Sequence, residues 1–67
     1  MTHLEIICEA YDRCGFVYVV LENGDGYQYL FLAGTYARKE QIEAKGCDAA
    51  CREHPFIEFL YGAFASY

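Results

Sequence analysis

Polar and apolar residues alternate from His3 to Tyr11. Leu4, Ile6, Cys8 and Ala10 take one side, and Glu5, Ile7, Glu9 and Tyr11 take the other. This two-residue period predicts a half-buried strand. A stronger pattern follows between Gly15 and Ala33. Two runs rich in β-branched and aromatic residues flank Asn23-Gly24-Asp25-Gly26, which contains both an Asn-Gly and an Asp-Gly pair. That arrangement predicts a β-hairpin. Asp12-Arg13-Cys14-Gly15 reads as a tight turn joining the first strand to it.

Facing follows from parity. With a central loop of two or four residues, one sheet face takes Leu4, Ile6, Cys8, Ala10, Val17, Val19, Leu21, Leu30 and Leu32. This aliphatic face is the expected core side. The other takes Glu5, Ile7, Glu9, Tyr11, Phe16, Tyr18, Val20, Glu22, Tyr27, Tyr29 and Phe31, and is acidic and aromatic. A bulge would change this assignment.

After Gly34 the pattern turns helical. Thr35 or Tyr36 opens a helix, Ala37 to Lys45 continue it, and Gly46 is its natural stop. Cys47 to Glu53 predicts further helical turns, and His54-Pro55 marks a boundary. From Phe56 to Tyr67, Phe56, Leu60, Ala63, Phe64 and Tyr67 recur at helical spacing. A helix across the aliphatic face is expected there, with a strand over 56–61 as the alternative. The expected fold is one α+β domain over residues 1–67. It comprises an antiparallel three-stranded sheet followed by two or three short helices packed on one face.

Composition sharpens this picture. Hydrophobic residues make up 55% of the 67 residues, too many for a disordered chain. The net charge is −5 and falls unevenly. Up to Ala33, Glu5, Glu9, Asp12, Glu22 and Asp25 stand against Arg13 alone. Such a surface repels nucleic acid and anionic membrane and attracts basic partners. The short acidic start lacks the apolar core of a secretory leader, and no run is long enough to span a bilayer. A cytoplasmic location with reduced thiols is the expectation.

Candidate chemistry is sparse. Cys8, Cys14, Cys47 and Cys51, with His54, are spaced poorly for a tetrahedral zinc site. Cys47 and Cys51 lie one helical turn apart and are the residues on which a metal- or redox-sensing role would rest. Cys51 and His54 sit three residues apart, but Pro55 disrupts that stretch, and no catalytic pair is expected there. Glu5 opposite Glu22 is a like-charge cross-strand pair without a cleft. Gly24 and Gly26 belong to a turn rather than a phosphate cradle. No enzyme, cofactor or metal is expected. The aromatic face resembles a base-stacking platform, but it lacks the Lys and Arg that nucleic-acid binders supply. Tyrosine-rich surfaces of this kind suit protein interfaces, including pairing of two copies through the same face.

In profile, a tiny, acidic, tyrosine-rich domain without catalytic motifs resembles the small phage-encoded inhibitors of the anti-CRISPR type. That resemblance implies a non-enzymatic inhibitor acting in a host cytoplasm. It would occupy a basic nucleic-acid-binding site on a protein complex, such as a CRISPR effector, without binding nucleic acid itself. The partner-binding residues would then be Glu5, Glu9, Asp12, Glu22 and Asp25 in place of phosphates, with Tyr11, Tyr18, Tyr27 and Tyr29 between them. The alternatives are a homo-oligomeric adaptor module, with homodimer formation, and the cysteine-based sensor.

Overall fold

The computed structural model describes residues 2–61. The order of elements is α1 (His3–Cys14), β1 (Tyr18–Glu22), β2 (Tyr27–Leu32), α2 (Tyr36–Lys45), α3 (Cys47–Glu53) and β3 (Glu58–Tyr61). The class is α+β.

The first element is a helix, not the expected strand. Its N-terminus is a capping box: the Thr2 hydroxyl accepts from the Glu5 N–H at 3.2 Å, and the Glu5 carboxylate accepts from the Thr2 N–H at 2.9 Å. Two of the donors orphaned at a helix start are thereby satisfied. Leu4 is buried and Ile7, Cys8 and Tyr11 are half-buried, while Glu5, Glu9 and Asp12 are exposed. These are the two faces of a 3.6-residue period. Gly15 ends the helix at φ +78°, and the Phe16 N–H reaches back to the Tyr11 carbonyl at 3.0 Å. A left-handed cap of this kind favours glycine.

The hairpin forms as expected, with β1 and β2 antiparallel, but its loop reverses the facing of β2. Val19 pairs with Phe31 and Leu21 with Tyr29. The Asn23 N–H donates to the Tyr27 carbonyl, so three residues lie between the last paired positions. Asn23 builds this loop. Its carbonyl accepts from the Gly26 N–H, and its side-chain oxygen accepts from the N–H groups of Asp25 and Tyr27 at 2.9 and 3.0 Å. Gly26 then turns left-handed at φ +86°. A turn followed by a left-handed glycine is the usual three-residue hairpin connection. An odd loop moves every β2 side chain to the face opposite that given by an even one.

Phe31 and Tyr29 therefore join Val19 and Leu21 on one face, and Leu30, Leu32 and Gln28 join Tyr18, Val20 and Glu22 on the other. The buried cluster on the first face is Val19, Phe31, Ala33, Ile42 and Ala50, with Val17, Leu21, Tyr29 and Cys51 packed against it. Ile42 comes from α2 and Ala50 and Cys51 from α3, so these two helices cover that face. α1 lies on the opposite side, against β1 through Tyr11 and Tyr18 and near β3. The helices thus divide between the two faces instead of sharing one.

The three-stranded sheet expected from residues 3–33 is not found, because its first member is α1. Instead β3 pairs antiparallel with β2, Tyr27 opposite Tyr61 and Leu30 opposite Glu58, in the order β1-β2-β3. The helix expected over Phe56 to Tyr67 is not formed at Phe56 or Ile57, and Glu58–Tyr61 is a strand, the alternative for this segment; residues 62–67 lie outside the described residues.

α2 begins as expected. The Thr35 hydroxyl accepts from the Arg38 N–H at 3.2 Å. Gly46, at φ 86° and ψ 168°, is both the last cap of α2 and the first cap of α3. The junction is fastened on the outside by an ion pair between Lys45 and Glu53 and by Arg38 Nη2 against His54 Nδ1 at 3.2 Å.

Candidate functional site

The expected partner-binding residues divide into two groups. The first gathers where the end of α1 meets β1. Glu5, Glu9 and Asp12 recur at four- and three-residue intervals, which sets them on one face of a helix, and all three are exposed. Beside them the Tyr11 ring stacks at a tilt on Phe16, centroids 5.4 Å apart, and edge-on to Tyr18 at 5.9 Å. The Tyr18 hydroxyl donates to Asp12 Oδ2 at 3.1 Å. Burial, together with hydrogen bonds to Asp12 and Cys8, raises the Tyr18 phenol to about 12. Glu22 lies on the same sheet face as Tyr18, two pleats along β1.

The second group does not join this corner. Tyr29 is on the opposite sheet face, packed against the buried cluster, with its ring edge-on to Phe56 at 5.0 Å. Tyr27 shares that face by strand alternation. Asp25 sits at the exposed hairpin tip. The expected continuous acidic-aromatic sheet face is therefore replaced by a smaller corner. Glu5, Glu9 and Asp12 come from a helix, and Tyr18 and Glu22 come from the sheet.

The cations nearest these acids are loosely held. Arg13 pairs with Glu9 at 3.1 Å, with both side chains more than half exposed. Such a pair contributes at most about 1 kcal/mol, so an incoming guanidinium can replace Arg13 at little cost.

A groove of about 290 Å³ opens beside the corner, lined by Asp12, Phe16, Val17, Tyr18 and Val20, and by Tyr36, Lys39 and Glu43 of α2. Phe16 is 51% and Tyr36 75% exposed. Lys39 is partnered by Glu43 at 3.6 Å. The groove follows β1, the outer strand of the sheet. The Val17 carbonyl accepts from the N–H groups of Ala33 and Gly34, and Asn23 bonds to Tyr27. Residues 17, 19, 21 and 23 thus turn their backbone groups toward β2, and Tyr18, Val20 and Glu22 turn theirs outward. Among the described residues no backbone partner meets them there.

The groove was not visible in the sequence reading, because it needs α1 and α2 on opposite sides of β1. The helical period of Leu4, Ile7, Cys8 and Tyr11, with Thr2 and Glu5 three apart, was the available signal.

The cysteines do not form a ligand set. No group of three or more His, Cys, Asp or Glu side chains suited to a metal occurs among the described residues. Cys47 is buried, and burial with its neighbour Cys51 pushes its thiol up to about 11. Burial likewise raises Cys8. Thiols held protonated are poor nucleophiles and poor metal ligands.

No helix among the described residues is long and apolar enough to cross a membrane. No family model matches this chain, and no curated protein or solved structure is similar to it.

Proposed function

We propose that this chain is a non-enzymatic binding protein that docks the acidic face of α1, with Tyr11, Tyr18 and Glu22, on a basic site of a larger protein complex. It competes there with nucleic acid, in the manner of the small anti-CRISPR-type inhibitors that it resembles in profile. The observation that carries this reading is the placing of Glu5, Glu9 and Asp12 on one exposed helix face beside the Tyr11-Phe16-Tyr18 cluster. Acidic groups speed encounter with a cationic surface, and adjoining aromatic area slows release. Glu22 is retained because it shares the Tyr18 face. Tyr27, Tyr29 and Asp25 are dropped from the docking set because they lie elsewhere.

The test uses an arginine-rich peptide bound to fluorescent single-stranded DNA at low salt. The protein is expected to release the DNA, and E5K/E9K to lose that ability. E40K/D48K, at exposed positions of α2 and α3, makes the same change in net charge away from the α1 stripe and the groove and should retain most of it. Equal loss in both variants would show that net charge alone acts, and would remove α1 as the docking surface.

A further inference from the structure

Among the described residues nothing guards the outer edge of β1. Natural sheet edges are blunted by Pro, by Lys, by bulges or by a covering element. β1 reads Tyr-Val-Val-Leu-Glu, with no Pro or Lys, and Glu22 is its sole charge. Its outward backbone groups at Tyr18 and Val20 open onto the groove between the end of α1 and α2, and those of Glu22 continue the same edge beyond it. Such an edge, lying along a groove, is the geometry of β-strand addition: backbone hydrogen bonds supply affinity, and alternate side chains supply specificity.

We infer that the groove takes an extended segment of a protein partner, which adds to β1 as a new edge strand and alternates basic and apolar side chains. The inference rests on the proposal above that the partner is basic, and it names how that partner is held. Charge selects the occupant. Asp12 lines the groove and Glu22 ends the edge strand, while Lys39 and Glu43 of α2 neutralise each other at 3.6 Å, which leaves the edge net negative. A second copy of this chain would set the same acids against one another, with a net charge of −5 on each side. A basic segment meets no such opposition. The two sides of the edge assign the alternation. On the Tyr18 and Val20 side, an added side chain meets Asp12 and Glu22, which suits Lys or Arg. On the α2 side it meets exposed Tyr36, which suits Val, Ile or Leu.

The experiment follows amide hydrogen exchange of the full chain with a blocked peptide of about eight residues alternating Lys and Val. The amides of Val20 and Glu22 are expected to gain about tenfold or more protection. A peptide N-methylated at alternate residues, which lacks the donors, should give none, and neither should a Glu-Val peptide. V20P is expected to fold, since Pro is tolerated where an edge N–H faces outward, and to lose the protection. Equal binding by the N-methylated peptide, or absence of protection at saturation, would overturn strand addition. Concentration-dependent protection without peptide would overturn it in favour of a second copy. E5K/E9K separates the two proposals. Lys-Val binding that E5K/E9K abolishes, without protection at Val20, keeps the docking function and removes strand addition. Protection indifferent to E5K/E9K keeps strand addition and removes the α1 stripe.

Discussion

Truncation of two adjacent β2 residues tests the facing of the whole hairpin. Phe31 is 1% exposed and Leu32 44%. Removing a buried phenylalanine side chain costs about 3–5 kcal/mol, cavity included. Truncating a leucine that is nearly half exposed should cost about 1 kcal/mol or less, a fraction of the roughly 1.5–3 kcal/mol gained by full burial. A chain of this length has a stability of about 3–10 kcal/mol. F31A should therefore remove much or all of it, and L32A little. With a urea dependence of about 1 kcal/mol per molar, L32A should move the unfolding midpoint by about 1 M at most. F31A should move it by about 3 M or leave no folded baseline. Far-UV circular dichroism against urea measures both. A larger loss in L32A than in F31A would mean that the loop has even parity, with Leu32 and not Phe31 beneath α2 and α3.

Three further outcomes are expected. Gly15→Ala should cost about 1–2 kcal/mol in urea unfolding, because φ is +78° and open space surrounds the added methyl, leaving only the backbone penalty. Against a thiol reagent near neutral pH, exposed Cys14 should react first and buried Cys47, its thiol raised to about 11, last; early reaction of Cys47 would reopen a redox role. Tyr18 has a phenol raised in the fold, so its contribution to stability is complete below about pH 10 and fades as pH climbs toward 12. Cys8 and Cys47 act in the same direction, and Y18F should flatten the Tyr18 part of the alkaline loss, as read by thermal unfolding across that range.

The hairpin, the Thr35 start of α2 and the Gly46 stop were legible because each rests on local chemistry: an Asn-Gly-Asp-Gly loop, a hydroxyl cap, a glycine at positive φ. α1 was misread because Leu4-Ile6-Cys8-Ala10 alternates while Leu4-Ile7-Cys8-Tyr11 repeats helically in the same residues. The Thr2-Glu5 capping box and Gly15 break that tie toward helix, and neither enters a count of alternation. The facing of β2 turned on Asn23 and Gly26 dividing, with Asn23 paired to Tyr27 and Gly26 in the loop, where an even loop keeps both in or both out. Of the site, the acids and Tyr11 and Tyr18 were legible as residue types. Their gathering on a helix and an open strand edge depends on long-range packing of α1 and α2 about β1, which local spacing does not encode.

Gly46 has a consequence for how the chain tolerates change. Gly15 occupies a left-handed well that asparagine also visits, so that exit has a substitute. At φ 86° and ψ 168°, Gly46 lies in a region essentially closed to every side chain. Two helices share it, with no spare residue to take up a distortion. The elbow delivering Ile42 and Ala50 to the same sheet face is therefore set by a single pair of torsions, and variation should spare this position while altering the solvent side of either arm freely.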